Sequence, residues 1–440
     1  MILKNLLNNK KIMLEKIKSI LRWSVFYRIY KSTESNIAKL AFWNPSKNLI
    51  VIWVTWTDGK STTSSLIHKI FNDNLWKTAL FTTVNQKFWD KTIDNIYKMT
   101  NVSAWKTQEF LHKAVEENCK YCILEVSSHG IDQKRVANIE YDTAVLTNIT
   151  EEHLDYHKTF FNYANTKKQL FQWVLRNHNW KKIAILNKDD EMWKQWTDEM
   201  AFNKTITYSI FSSSNIKADN IKEYMNHTEF TLKYLSKEYK VKTKLLWAFN
   251  VSNALASIAT WYAFKIEFEK MIKSIENFER VDWRVNPYID EKWVYYFIDY
   301  AHTPAWLNAV LTFLNKIKTW RIITVFGAPW VRDKEKRPKM WNVVSRNSDI
   351  MIITDDDPDT EDRMEIIKNI QKWVKRKLWD NYWVMSDREL AVELAHDIAK
   401  KDDIVLIAGK GHEKVQLTNL WKREYSDFWT LQKITNIKAF

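Results

Sequence analysis

The stretch LIVIWVTWTDGKSTTSSLIHKI, residues 49–70, constrains the fold more than any other part of this chain. An apolar run enters Thr57-Asp58-Gly59-Lys60-Ser61-Thr62 and leaves as a helical pattern, which reads as strand, phosphate loop and helix. Such a loop closes backbone N–H groups around phosphate oxygens at a helix N-terminus, and a lysine and a hydroxyl complete the cradle. Trp56 stands where that backbone must turn tightly, a position suited to the smallest side chain.

Composition turns this local conflict into a global one. The chain of 440 residues contains 24 Trp and only 5 Gly, together 29 residues or 6.6% of the chain, close to the roughly 7% glycine of ordinary globular proteins. We read most of these tryptophans as glycines, encoded by UGA in a gene whose organism assigns that codon to Gly. The competing reading is a genuinely Trp-rich protein.

The length predicts two or three domains. No run of about 18 uncharged apolar residues is present, so no spanning helix is expected. The first thirty residues carry lysines and lack a small-residue cleavage site, unlike a secretory signal. They read instead as a basic amphipathic helix, able to rest on anionic lipid but more commonly a docking helix or solvated tail. Cys119 and Cys122 form a lone C-x-x-C, which points to a strand entrance rather than zinc, and to a reduced, cytoplasmic setting. The net charge is +14, from 53 Lys and 14 Arg spread along the chain. No recognition module accompanies it, so no nucleic-acid partner is expected.

Apolar segments at 119–128, 141–149, 181–187, 295–300, 321–327, 349–354 and 403–409 alternate with helical ones. That alternation predicts an α/β chain with parallel sheets and ligands outside the carboxyl ends of the strands. Residues 236–244 read as a β-rich excursion before a helix at 250–264, and a boundary is expected near residue 280. The segment 125–136 offers Glu125 at a strand end, then Ser127, Ser128, His129 and Arg135. Residues 147–171 offer His153, Asp155, His157 and Lys167. A Glu and a His at strand ends beside a phosphate loop suit Mg²⁺ bridging ATP oxygens.

The blocks VTWTDGKSTT, EVSSHG, NITEEHLDYHKTFFNYANTKKQLF, FNVSNALA, VDWRV, IDYAHTP, FGAPWVRDKEKRP, DDDPDTED and AGKGHEKVQ occur in that order from about residue 46 onward. With them the chain resembles the Mur ligases, and within that family the branch that adds the third residue of the peptidoglycan stem peptide. The resemblance implies a central P-loop ATPase domain with a parallel sheet (46–280) and a C-terminal Rossmann-like domain (281–440). A short N-terminal helical segment (1–45) stands in place of the family's uridine-binding domain. It implies a cytoplasmic, monomeric enzyme that uses ATP and Mg²⁺ to activate a UDP-MurNAc-dipeptide-like precursor as an acyl phosphate, which an amino acid then attacks.

Site roles follow from the same resemblance. Lys60 matches the phosphate lysine, and Ser61, Glu125 and His153 match the magnesium shell. Lys167 matches a lysine that the family carbamylates into a metal ligand. Thr57, Asp58, Gly59 and Thr62 complete the phosphate loop; Asn250 resembles an adenine contact and Asp299 lies near the ribose. Arg284 and His302 resemble residues that close on ATP. Ser127, Ser128 and Arg135 match contacts to the nucleotide-peptide. Arg332, Asp356, Asp357, Asp359, Gly409 and Glu413 fall in the amino-acid subsite.

Members that use meso-diaminopimelate carry Asp-Asn-Pro-Arg where this chain has Asp356-Asp357-Pro358-Asp359. An aspartate in place of that arginine repels a carboxylate and attracts an ammonium, which favours lysine, ornithine or another diamino acid without a distal carboxylate. Residues 98–105 carry Asn101-Val102 where the family has Thr-Thr-Pro. That departure, with the short N-terminus, weakens the substrate assignment more than the reaction type. The alternatives are a folylpolyglutamate or cyanophycin type of amide ligase and a non-catalytic nucleotide-binding protein.

Overall fold

The computed structural model describes residues 25–440 except 56–58, 96, 98, 151, 178–180, 265–266, 280–283, 302, 329–335, 359–360, 372–380, 412, 419–421 and 440. The chain forms two compact units. The first holds the described residues up to Asn220 together with Phe230–Val241 and Phe249–Phe278; the second holds Ile221–Glu229, Lys242–Ala248 and the chain from Glu279 onward.

The first sheet is built from β1 (Ile50–Thr55), β2 (Thr78–Phe81), β3 (Asn85–Phe88), β4 (Lys91–Asp94), β5 (Tyr121–Val126), β6 (Thr143–Leu146), β7 (Ile183–Asn187), β8 (Lys204–Ser209), β9 (Ile216–Glu223), β10 (Thr228–Tyr234) and β11 (Lys237–Thr243). These eleven strands lie in the order β11-β10-β9-β8-β7-β6-β1-β5-β2-β3-β4. From β2 through β5, β1, β6 and β7 to β8 the pairing is parallel. Helices cover such a sheet on both faces, so its strands are continuous apolar runs; β1, β5, β6 and β7 are buried along almost their whole length. Sequence reading foresaw β1, β5, β6, β7 and β11. It did not foresee β2, which is only four residues long, or the antiparallel β3 and β4, whose segments are too short and too polar to show a period.

Cys122 lies inside β5 and Cys119 just before it, both buried as free thiols. Burial pushes the Cys119 thiol up to about 11 and raises the Cys122 thiol well above its ordinary value too, so both behave as inert core residues. The helix Val25–Ala41 turns Ser35 and Ala38 inward and leaves Phe26, Ile29, Tyr30, Ile37 and Leu40 exposed.

The second sheet takes β12 (Arg284–Ile289), β13 (Tyr295–Asp299), β14 (Ile322–Phe326), β15 (Ile350–Ile353), β16 (Tyr382–Val384) and β17 (Ile404–Ala408), with β18 (Val415–Leu417) and β19 (Lys422–Glu424) as a separate ribbon and β20 (Lys438–Ala439) at its edge. Its order is β16-β15-β14-β17-β13-β12-β20. Pairing is parallel from β16 to β13 and antiparallel at β12 and β20. Every second-half strand expected from the sequence is present. Each unit has its own apolar core, and no described helix is long and apolar enough to cross a membrane.

Among the described residues, four tryptophans have left-handed backbone: Trp43, Trp89, Trp247 and Trp293, with φ of 57°, 59°, 62° and 62°. The buried indole N–H groups of Trp53, Trp247 and Trp261 have no hydrogen-bond partner.

Candidate active site

Parallel pairing puts the C-terminal ends of β1 and β5 side by side, with Val54 opposite Glu125. The chain leaves β1 through residues 56–58, so Trp56, Thr57 and Asp58 lie outside the described residues. It re-enters at Gly59, which caps the helix Lys60–Asn74 with φ 84°. A Cβ there would lie 2.7 Å from Asn253 Nδ2, so both the backbone angle and the space require glycine. Lys60 opens the helix and is partly buried; Ser61 and Thr62 are buried behind it. The unpaired N–H groups of a first helical turn make this end attractive to anions.

Glu125 is 1% exposed. Its carboxylate accepts from Ser61 Oγ at 3.0 Å, from the Thr83 backbone N–H at 2.9 Å and from Thr83 Oγ1 at 3.1 Å. A hydroxyl and a carboxylate oxygen 3.0 Å apart suit a hard cation: adjacent oxygen ligands of octahedral Mg²⁺, at about 2.0–2.1 Å from the ion, stand ~2.9 Å from each other. The donor set therefore fits magnesium. His153 stands at φ 55° before the short helix Leu154–His157. Its ring stands 4.7 Å from that of His129 and 6.4 Å from that of Tyr163. Lys167 is buried, with Nζ 4.7 Å from the Tyr163 ring centre. Tyr163 thus neighbours both His153 and Lys167.

Asn101 organises the segment after β5. Its Oδ1 accepts from the Ser127 N–H at 2.8 Å and from Ser127 Oγ at 3.0 Å, and its Nδ2 donates to the Glu125 carbonyl at 2.9 Å. Arg135 Nη1 donates to the Asn101 carbonyl at 2.7 Å. Ser128 is buried against His157, Oγ to Nε2 2.9 Å. Asn101→Ala strands the Glu125 carbonyl and the Ser127 groups, and with net values of about 1 kcal/mol per bond it lowers stability by roughly 2–4 kcal/mol in urea unfolding. Asn250 Oδ1 accepts from Asn253 Nδ2 at 2.9 Å, close to the Gly59 cap.

In the second unit, β12 opens with Arg284 opposite Asp299 in the backbone register, and the Arg284 side chain is outside the described residues. Asp299 is buried at the end of β13 and accepts from the Trp306 indole N–H at 2.6 Å. His302, Arg332 and Asp359 fall outside the described residues. Asp356, Asp357 and Glu413 converge within 4.8 Å, and the Lys410 ammonium sits among them, 2.8 Å from Asp357, 2.6 Å from Glu413 and 3.8 Å from Asp356. Three carboxylates thus face one buried ammonium. Gly409, at φ 117°, lets the chain pass beside Asp356. Burial pushes the Asp356 carboxyl up to about 6 against the opposing pull of Lys410 and Arg388. Burial alone would lower Lys410, but Asp356, Glu413 and Asp357 outweigh it and raise it. Sequence reading missed Lys410, although the AGKGHE block contains it, because a lone lysine between glycines carries no sign of burial. It also missed Arg388, which pairs with Asp427 in the interior at 2.8 Å.

Comparison with known proteins decides the family. Residues 54–261 match the Mur ligase middle domain and residues 283–411 match the Mur ligase glutamate ligase domain. A UDP-N-acetylmuramoyl-L-alanyl-D-glutamate–2,6-diaminopimelate ligase of Clostridium acetobutylicum is 36% identical over 379 residues, 85% of this chain and 75% of that one. The chain belongs to the Mur ligase family. The corresponding diaminopimelate ligase of Bacillus cereus is 34% identical over 404 residues, 91% of this chain and 81% of the relative. A solved diaminopimelate ligase structure of 27% identity superposes with a TM-score of 0.63 over 88% of this chain and 78% of its own. As a Mur ligase, the chain is an ATP-dependent amide ligase of peptidoglycan precursor synthesis.

Proposed function

We propose that this Mur ligase adds a diamino acid to a UDP-MurNAc-dipeptide-like precursor in the cytoplasm, acting as a monomer with no nucleic-acid partner. The observation that carries the ATP chemistry is the buried Ser61–Glu125 pair at the mouth of the Gly59-capped helix. ATP presents its phosphates to the first helical turn, where Lys60, with Thr57, Asp58 and Thr62, holds their charge. Ser61 and Glu125, with His153 and a carbamylated Lys167 as further ligands, would hold Mg²⁺, and the ion would neutralise charge on the transferring phosphoryl group. Arg284 and His302 act on the same phosphates, while Asn250 and Asp299 position the nucleoside. Ser127, Ser128 and Arg135 hold the peptide carboxylate that receives the phosphoryl group, converting a poor electrophile into one with a leaving group. The amino acid's amine must arrive neutral and be held near the acyl carbon.

For the amino acid, the excess of carboxylate over ammonium among Asp356, Asp357, Glu413 and Lys410, with Asp359 two residues beyond Asp357, favours a side-chain ammonium: lysine or ornithine, with Glu413 and Arg332 holding its backbone or amine groups. A second reading, meso-diaminopimelate, draws on the names of the similar diaminopimelate ligases. ADP release with precursor and each amino acid in turn tests both. Lysine or ornithine supports turnover in the first reading; preference for meso-diaminopimelate overturns that choice. Amino-acid-independent or absent ADP release overturns the ligase reading. A pH series adds a signature. Asp356 must be ionised to attract the ammonium and its carboxyl titrates at about 6, so the KM for the amino acid rises as pH falls through 6, while the KM for ATP follows a different profile.

A further inference from the structure

We infer that positions 43, 53, 89, 247, 261 and 293 are glycine in the native protein, each inserted at a UGA codon. The composition suggests that tryptophan stands for glycine in general; the backbone identifies where. Among the described residues, fourteen non-glycine positions have positive φ, and tryptophan holds four of them, as many as asparagine. Asparagine tolerates that region, but a bulky side chain there is an outlier.

The local motifs are more specific still. The helix Val25–Ala41 ends with the Trp43 N–H on the Leu40 carbonyl at 3.0 Å and the Asn44 N–H on the Lys39 carbonyl at 2.8 Å. This is the Schellman pair of bonds, and Trp43 occupies the left-handed position that glycine usually fills. Phe88 pairs with Lys91 across a hairpin of two loop residues, Trp89 and Asp90. Its first loop residue is left-handed, where glycine is the usual occupant. Between β12 and β13, the Trp293 N–H bonds the Asp290 carbonyl at 3.1 Å and the Asp290 N–H bonds the Val294 carbonyl at 3.2 Å. The result is a three-residue loop whose last member is left-handed, again a glycine position. Trp247 enters the helix Trp247–Ala263 at φ 62°.

Side-chain chemistry points the same way at three sites. Trp53, Trp247 and Trp261 are buried with indole N–H groups that meet no acceptor, although buried tryptophans usually find one. Trp306 differs, since its indole donates to Asp299, and it bears neither mark.

The test is tandem mass spectrometry of the protein isolated from its own cells, covering peptides that contain all six positions, together with the codons of its gene. The inference holds if each position is glycine and each codon is UGA. Tryptophan at any of the six overturns the assignment there, and UGG codons at these positions overturn it altogether. Both results stand apart from the ligase assay, because family membership rests on the whole chain.

Discussion

A gene carrying glycine codons at the six positions above and at 56, 283 and 330 yields soluble protein with amino-acid-dependent ADP release, whereas the chain with tryptophan at all of them yields insoluble or inactive product. Three orphaned indole N–H groups cost about 1–3 kcal/mol each, and four left-handed tryptophans about 1–2 kcal/mol each. Together these approach the whole stability of a typical protein, roughly 5–15 kcal/mol. Independently of stability, the sequence puts an indole at 56 within a stretch read as a loop whose backbone N–H groups must approach phosphate closely. Expression of both genes in one host, followed by solubility and ADP-release assays, distinguishes the two. Soluble, ATP-consuming protein from the tryptophan-bearing gene would contradict this expectation.

Glu125→Gln in the glycine-bearing protein lowers kcat by about 10²–10³-fold, the scale of removing one pre-organised charge from an active site. The substitution keeps the shape and an oxygen to accept from Thr83, so the melting temperature moves little. What it removes is the anionic oxygen beside Ser61. The Mg²⁺ concentration for half-maximal activity therefore rises as well, a change that a purely structural role for Glu125 does not produce. Turnover within a few-fold of the parent, at unchanged Mg²⁺ dependence, would remove Glu125 from the cation site.

The central strands were legible because a strand buried on both faces must be apolar throughout, and the run ending at Thr55 is followed at once by Gly-Lys-Ser and a helix. Glu125 stood out for the same reason: a carboxylate at the end of an apolar run is costly unless the fold gives it partners. The hairpin of β3 and β4 was not legible, since its strands are short, polar and defined by their turn, and that turn carries Trp89 in place of a small residue.

By itself, the sequence determined the parallel α/β class, the succession of strand, Gly59-Lys60-Ser61 and helix, and the order of the family blocks, because each is written in local pattern, and the excess of tryptophan over glycine is written in counts. Tertiary structure alone decided which residues meet. Asn101, 24 residues before Glu125, was marked only as a departure and proves to brace the strand end. Lys410 appeared as a loop lysine and lies buried among three carboxylates. Pairing of this kind depends on which strand ends the sheet sets side by side, and strand order is a property of the packed whole.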